Sequence, residues 1–376
     1  MTLTESSVFV FYRDSAQRRR IFAGGESCPA ERYCLYGLDK PFSPGLTVWH
    51  SLATGCQPSW GLARFARLCD WVLRLAGGYG GDFAMVWACR RQANAADLIV
   101  STADTVGVAL VLLRHLGVIR RPMIYISMGL PERLQQLRGG HMRRLYQRAF
   151  RRVETFVAYG VGEVEEIRRW LGAEQPTPDV RFLPFGADTD WFAPQDARAP
   201  DADILSIGAD PQRDFPLLVG MLRAHPDLTA LIVTNREHAH RLKPLPANVR
   251  IEVNVPYIRL RNLLAEARVV VLPVRENTYS GATTVLLQAM AMAKPVVVSQ
   301  TRAIRDGYYL QDAVNCRLVP PGDAVALERA TLELLTDPAR AQAVGSAARA
   351  TVEAHFSWER YVASLRQIIL ERVGEK

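Results

Sequence analysis

Between the apolar run Val269 to Val274 and the segment VLLQAMAMA lie small and hydroxylated residues, Ser280, Gly281, Ala282, Thr283 and Thr284. Residues 269 to 299 read as strand, small-residue turn, helix, strand, with the helix beginning near Ser280. The first N–H groups of a helix have no intrahelical partner, and its aligned peptide dipoles leave partial positive charge there. A phosphate can therefore be held by backbone alone. Two readings are open at this point: a phosphate cradle, or an ordinary N-cap at Ser280 followed by a turn glycine at Gly281.

Other constellations exclude chemistry. Neither Gly24-Gly25 nor Gly77-Gly78-Tyr79-Gly80-Gly81 forms G-x-G-x-x-G after a strand, so the dinucleotide fingerprint is missing. Gly24-Gly25 precedes an expected helix, Pro29 to Leu38, and is a candidate lining of a ligand cleft. The seven histidines, His141 among them, show no metal spacing, and no serine or cysteine sits in a nucleophile elbow. The six cysteines, Cys28, Cys34, Cys56, Cys69, Cys89 and Cys316, contain no CxxC pair. With no secretory-type start, this predicts a cytoplasmic protein.

The elements that must position these residues alternate. Short β-branched runs fall at Val8 to Tyr12, Thr47 to Leu52, Asp97 to Thr102, Met123 to Ser127, Thr155 to Tyr159 and Val180 to Leu183. Six more follow at Asp203 to Ile207, Leu228 to Val233, Val249 to Val255, Val269 to Val274, Pro295 to Ser299 and Cys316 to Val319. Amphipathic stretches between them make the pattern βαβ, an α/β fold of two Rossmann-like domains facing across a cleft. The length of 376 residues suits two cores. Pro184-Phe185-Gly186 and the polar stretch Pro194 to Asp203 mark the seam, giving domains over 1–194 and 195–355. The tail 356–376 reads as an amphipathic helix, Ser357 to Val373, crossing back to the first domain.

Hydrophobic residues make up 49% and charged residues 22%, the balance of a globular chain. No apolar stretch is long enough to span a bilayer. The net charge of +8 points to anionic partners, yet no finger spacing, RNP-like signature or basic tail marks a nucleic-acid binder. From Met142 to Phe156 apolar positions fall at helical spacing, with Arg143, Arg144, Arg148, Arg151 and Arg152 elsewhere on the surface. Such a helix is either a core stripe with a solvated face or a peripheral contact with an anionic membrane.

The stretch Pro273 to Pro295, ending AMAMAKPVVVS, resembles the donor-binding motif of the family-four retaining glycosyltransferases (glycosyl transferases group 1), which have the GT-B architecture. Phe182 to Asp188 with Trp191 to Pro194 is similar to that family's hinge signature. Ile207-Gly208 with Arg213-Asp214 is similar to the first loop of its second domain, and Leu318 to Asp323 to its closing loop. The resemblance covers about residues 155 to 360. It implies sugar transfer from a nucleotide-diphosphate sugar with retention of configuration, carbohydrate biosynthesis as the setting, and no metal or other cofactor. The acceptor is left open among glycan, lipid-linked and small-molecule classes. It implies donor contacts from Gly208, Arg213, Tyr257, Ser280, Gly281, Ala282, Thr283, Thr284 and Gln288. Arg213 stands where the family places a basic residue on the donor diphosphate, a task that a planar, permanently charged guanidinium suits. Tyr257 stands where the base is held, or else packs.

This chain also departs from the pattern. Ser280 and Gln288 replace two glutamates, the second of which grips ribose hydroxyls in the family. Glu276 either supplies a carboxylate or is a solvated loop charge. Met128, in Ser127-Met128-Gly129, stands where relatives carry a histidine beside the sugar. With Gly24 and Gly25 it makes up the candidate acceptor side. These replacements keep open a catalytically inactive GT-B subunit that only binds nucleotide sugars. Asp188-Thr189-Asp190 and Asp201-Ala202-Asp203 are formally DxD triplets, but one lies in the hinge signature and the other just before a strand, so no metal site is expected.

Overall fold

Val8, Val10 and Phe11, like Phe9, are buried in one strand, on both of its faces, as a parallel sheet covered by helices on each side demands. The computed structural model describes residues 6–52, 57–195 and 200–374. Cys56, and residues 196–199 of the expected linker, lie outside these. The chain divides into two units, one running to Leu183 and taking in the residues from Val362, the other Pro184–Tyr361.

The first unit holds β1 (Ser6–Phe11), β2 (Leu46–His50), β3 (Leu98–Ser101), β4 (Met123–Ser127), β5 (Thr155–Ala158) and β6 (Asp179–Phe182). They form one sheet in the order β2-β1-β3-β4-β5-β6, every pair parallel. The helix Asp104–His115 is almost wholly buried against it, with Val106, Ala109, Leu110 and Leu113 in a core shared with Tyr125, Phe150 and Phe156. The tail of the chain belongs to this unit. Arg366 donates to Gly37 O at 2.7 Å, and Arg372 donates to Thr155 Oγ1 and Asp179 Oδ2 at 2.7 and 2.8 Å.

The second unit holds β7 (Ile204–Ile207), β8 (Ala230–Thr234), β9 (Val249–Val253), β10 (Val269–Leu272), β11 (Val296–Ser299) and β12 (Arg317–Val319). Their order is β12-β11-β10-β7-β8-β9, again all parallel. The chain winds outward from β7 in one direction and from β10 in the other. The loops leaving these two strands therefore diverge at a topological switch point, the place where open α/β sheets bind ligands. Phe185 packs on Trp358 and Tyr361 in the first turn of the last helix, Trp358–Gly374.

Each of the twelve expected runs is a strand, with ends displaced by two residues at most. The basic amphipathic helix is shorter than its pattern suggests, Gly140–Phe150, with Phe156 in β5. Tyr146, Ala149 and Phe150 enter the core, and Met142 and Leu145 pack against it, so this helix turns arginines rather than apolar side chains to solvent. The expected helix Pro29 to Leu38 is a 3₁₀ segment, Pro29–Leu35.

Candidate functional site

The loops after β7 and β10 are sewn together at the switch point. Arg213 and Val274 form an antiparallel bridge, Asp214 N donates to Pro273 O and Arg275 N to Gln212 O, both at 2.9 Å. Ser299 Oγ accepts from Val274 N at 3.0 Å, which fixes the start of the second loop to the end of β11.

Arg213 is 2% exposed. Its Nε and Nη1 are buried with no hydrogen-bond partner among the described residues. A buried cation without partners is costly, because the water it has lost is not replaced. Burial pulls its pKa down to about 10, opposed by Asp210 and Tyr279 nearby, so it remains a cation at neutral pH. Gly208 makes room for it: a Cβ at that position would lie 2.7 Å from Arg213 Nη2 and closer still to Nε.

Facing Arg213 is a carboxylate that the sequence did not single out. Asp210 accepts from Tyr279 Oη on both oxygens, at 2.9 and 2.8 Å, and from Gln212 N at 2.8 Å. It lies against Gly281, where a Cβ would come within 2.7 Å of its Cγ. The corner expected to receive phosphate thus already has an anion at its edge.

The helix there is Thr283–Ala291, starting three residues later than Ser280. Its N-cap is Ala282, and Ser280 makes no cap bond. In the turn before it Gly281 N donates to Tyr279 O at 2.9 Å, while Thr283 N and Oγ1 donate to Ser280 O at 3.3 and 2.8 Å. The amides of Ala282 and Thr284 are left without an acceptor among the described residues. Gln288, one turn further in and 1% exposed, has its Nε2 buried and without a partner among the described residues. Gly208, Arg213, Gly281 and the first turn of this helix are therefore gathered at one switch point.

The remaining expected residues lie in other loops and at helix ends. Glu276 is exposed and accepts from Arg302 N at 2.9 Å, tying two surface loops. Tyr257 opens the helix Tyr257–Glu266 and is half-buried. Gly24, with φ of +80°, and Gly25 close the helix Ala16–Phe22. Gly25 N donates to Arg20 O and Gly24 N to Ile21 O, the geometry that ends helices at glycine. The DxD aspartates are engaged locally: Asp188 accepts from Asp190 N and Trp191 N, Asp201 pairs with Arg250, and Asp203 with Arg268. Among the described residues no group of three or more His, Cys, Asp or Glu could hold a metal.

In the first unit Met128 is exposed and its sulfur accepts from Tyr36 Oη at 3.5 Å. The turn it occupies is held by two buried carboxyls. Glu163 Oε1 accepts from Ser127 Oγ at 2.6 Å and Gly129 N at 2.8 Å. Asp104 accepts from Tyr125 Oη, Met128 N and Arg133 Nε at 3.0, 3.3 and 3.1 Å. Burial pushes Glu163 up to about 8, with Asp104 and Glu132 adding to the shift and its two donors opposing it. The signal for Glu163 is its spacing of four from Ile167 and eight from Leu171, which sets a carboxyl in line with the apolar stripe of the helix Val161–Leu171.

Two six-stranded parallel sheets, the second with a topological switch point between β7 and β10, define an α/β protein of the GT-B fold. Sucrose-phosphate synthase from Thermosynechococcus elongatus is similar over 99% of this chain and 100% of that one, with a TM-score of 0.70 and 18% identity. The Anabaena protein HepE in complex with UDP-glucose is similar over 97% and 99%, with a TM-score of 0.68 and 16% identity. Residues 213–337 match the family Glycosyl transferases group 1. In sequence it is 27% identical over 218 residues to a GDP-mannose-dependent monoacylated alpha-(1-6)-phosphatidylinositol monomannoside mannosyltransferase of Corynebacterium glutamicum, covering 51% of this chain and 56% of that protein. A GDP-mannose-dependent alpha-(1-6)-phosphatidylinositol monomannoside mannosyltransferase of Mycolicibacterium smegmatis is 27% identical over 54% of this chain and 59% of its own length. The chain thus matches a little over half the length of these two relatives.

Proposed function

We propose that this protein is a retaining glycosyltransferase that moves a sugar from a nucleotide-diphosphate donor to an acceptor without a metal ion, working in the cytoplasm. The observation that carries the reading is Arg213, a fully buried guanidinium with two unpartnered nitrogens beside Gly208. A diphosphate supplies the partner it lacks, and the free amides of Ala282 and Thr284 supply further donors. Sugar transfer builds negative charge on the departing phosphate, and preorganised donors aimed at that charge lower the barrier. Gln288 Nε2 is a donor in reach of a nucleotide held at the same corner, in the role the family gives to a glutamate on ribose. The metal-independent mechanism is supported by the local engagement of both DxD triplets.

The acceptor is a glycan, a lipid-linked sugar or a small molecule. The named relatives act with GDP-mannose on phosphatidylinositol mannosides, and HepE holds UDP-glucose, so both donor types belong in the test. A thermal-shift panel of UDP, GDP, TDP and ADP sugars distinguishes them. A donor at a hundred times its Kd stabilises by ~2.7 kcal/mol. One donor raising Tm in the wild type and not in Arg213→Ala supports the reading, and no shift with any donor overturns it.

A second reading is a subunit that binds nucleotide sugar without turning it over. It is favoured by Met128, whose thioether hydrogen-bonds only weakly, at the position of the family's histidine. Donor hydrolysis or transfer by the purified chain would exclude it.

A further inference from the structure

The helix Trp60–Leu75, WGLARFARLCDWVLRL, has sixteen residues of which Ala66 alone is buried. Leu62, Cys69 and Leu73 turn inward with it, toward the neighbouring helix Phe83–Ala88. Trp60, Phe65, Leu68, Trp71, Val72 and Leu75 point out, Trp60 at 72% and Leu75 at 69% exposure. At 3.6 residues per turn Trp60, Leu68, Trp71 and Leu75 fall along one line, with Phe65 and Val72 beside it. The outer apolar face runs into an apolar groove of about 470 Å³ that Trp87 and Leu116 close on the far side. Soluble surfaces rarely leave so much contiguous apolar area open.

Asp70 on this helix is paired with Arg74 at 2.7 Å, and the other charges beside the patch are basic. Arg64 lies over the Trp60 ring at 4.6 Å, and Arg67 donates to Ala63 O of its own helix. Beyond Leu116, a concavity of about 810 Å³ is lined by Arg90, Arg91, Arg120 and Arg121. None of these six arginines pairs with a carboxylate among the described residues. A two-fold contact between copies of this chain would set arginine rim against arginine rim. An anionic bilayer offers the complement: acyl chains for the tryptophans and leucines, and headgroup phosphates for guanidinium groups level with them. The helix is too short and too charged to span, so it would lie in the interface plane.

We propose that this helix and its arginine rim dock the first unit onto an anionic phospholipid surface. This surface is distinct from the basic helix Gly140–Phe150, whose apolar stripe faces the core.

The test is flotation of the full chain with phosphatidylcholine vesicles, with and without phosphatidylglycerol. Tryptophan emission is recorded alongside. The wild type is expected to float with the anionic vesicles at low salt, with a blue shift, and to be released as salt rises. Leu68→Glu with Trp71→Glu should lower partitioning at least about tenfold. Arg64→Gln with Arg67→Gln should weaken binding and flatten its salt dependence. All four side chains are largely exposed, and an unchanged thermal melt confirms folding. Should the glutamate variant fold poorly, Trp60→Ser at the helix start gives the same direction of change. No flotation, equal binding to neutral vesicles, or a wild-type dimer that Trp71→Glu dissolves would each overturn the proposal. The readout is partitioning, so its failure is separate from failure of the donor reading.

Discussion

The guanidinium of Arg213 occupies the space that a side chain at Gly208 would need. Gly208→Ala must therefore push Arg213 out of place or bend the end of β7. Overpacking of this kind costs about 1–3 kcal/mol, and the expected result is a lower Tm together with loss of the donor-induced shift. The clash involves the guanidinium itself, so Gly208→Ala combined with Arg213→Met should be less destabilising than the sum of the two. Thermal melts of the four proteins in the cycle check this; strict additivity would place the two residues out of contact.

Arg213→Met separates stability from function. Among the described residues the buried arginine has two unsatisfied nitrogens, and an apolar side chain of similar length removes the cost of that unreplaced hydration. Unliganded Tm should hold or rise, while turnover falls at least about tenfold through loss of a preorganised donor. A variant with both lower Tm and normal turnover would remove Arg213 from the site.

Asp210 counterbalances Arg213 in the unliganded chain and borders the anion corner at Gly281. A diphosphate held there, as proposed, would meet repulsion from that carboxylate. Asp210→Asn keeps an oxygen for Tyr279 Oη and Gln212 N but removes the charge. Nucleotide affinity should rise roughly fivefold, ~1 kcal/mol, and unliganded stability should fall because Arg213 loses the counter-charge of Asp210. Calorimetric titration with UDP and GDP reads the first, a thermal melt the second. Weaker binding in Asp210→Asn would mean that the carboxylate helps to hold the ligand.

How far the sequence reveals this arrangement depends on how local each cause is. The strands are legible because β-branched runs buried on both faces leave a continuous apolar signature, as in Val269 to Leu272. Arg213 and Gly208 are legible through the resemblance of their loop. The start of the helix at Thr283 is not, because the turn before it is set by Tyr279 bonding to Asp210, 69 positions away. Gly24-Gly25 is locally ambiguous: a glycine pair has the same look whether it lines a ligand loop, closes a helix or does both. Glu276 reads as a free loop carboxylate until Arg302, distant in sequence, is seen to hold it.

Glu163 links the turn carrying Met128 to pH. Its pKa in the folded chain is about 8, against an ordinary value of 4.5, chiefly because of burial. Between these values the folded chain keeps a proton that the unfolded chain has released, so raising pH favours unfolding. The stabilising proton is fully in place below about pH 4.5 and lost as pH passes 8. While Glu163 alone titrates, the slope is ~1.4 kcal/mol per pH unit. Oε1 accepts from both Ser127 and Gly129, so the proton sits on Oε2, which has no partner among the described residues. Glu163→Gln mimics this neutral form and should flatten the fall in stability from pH 5 to 8 while leaving the Ser127 to Gly129 turn in place. Urea unfolding across that range measures it; an unchanged slope in Glu163→Gln would show that another group governs the pH response of the first unit.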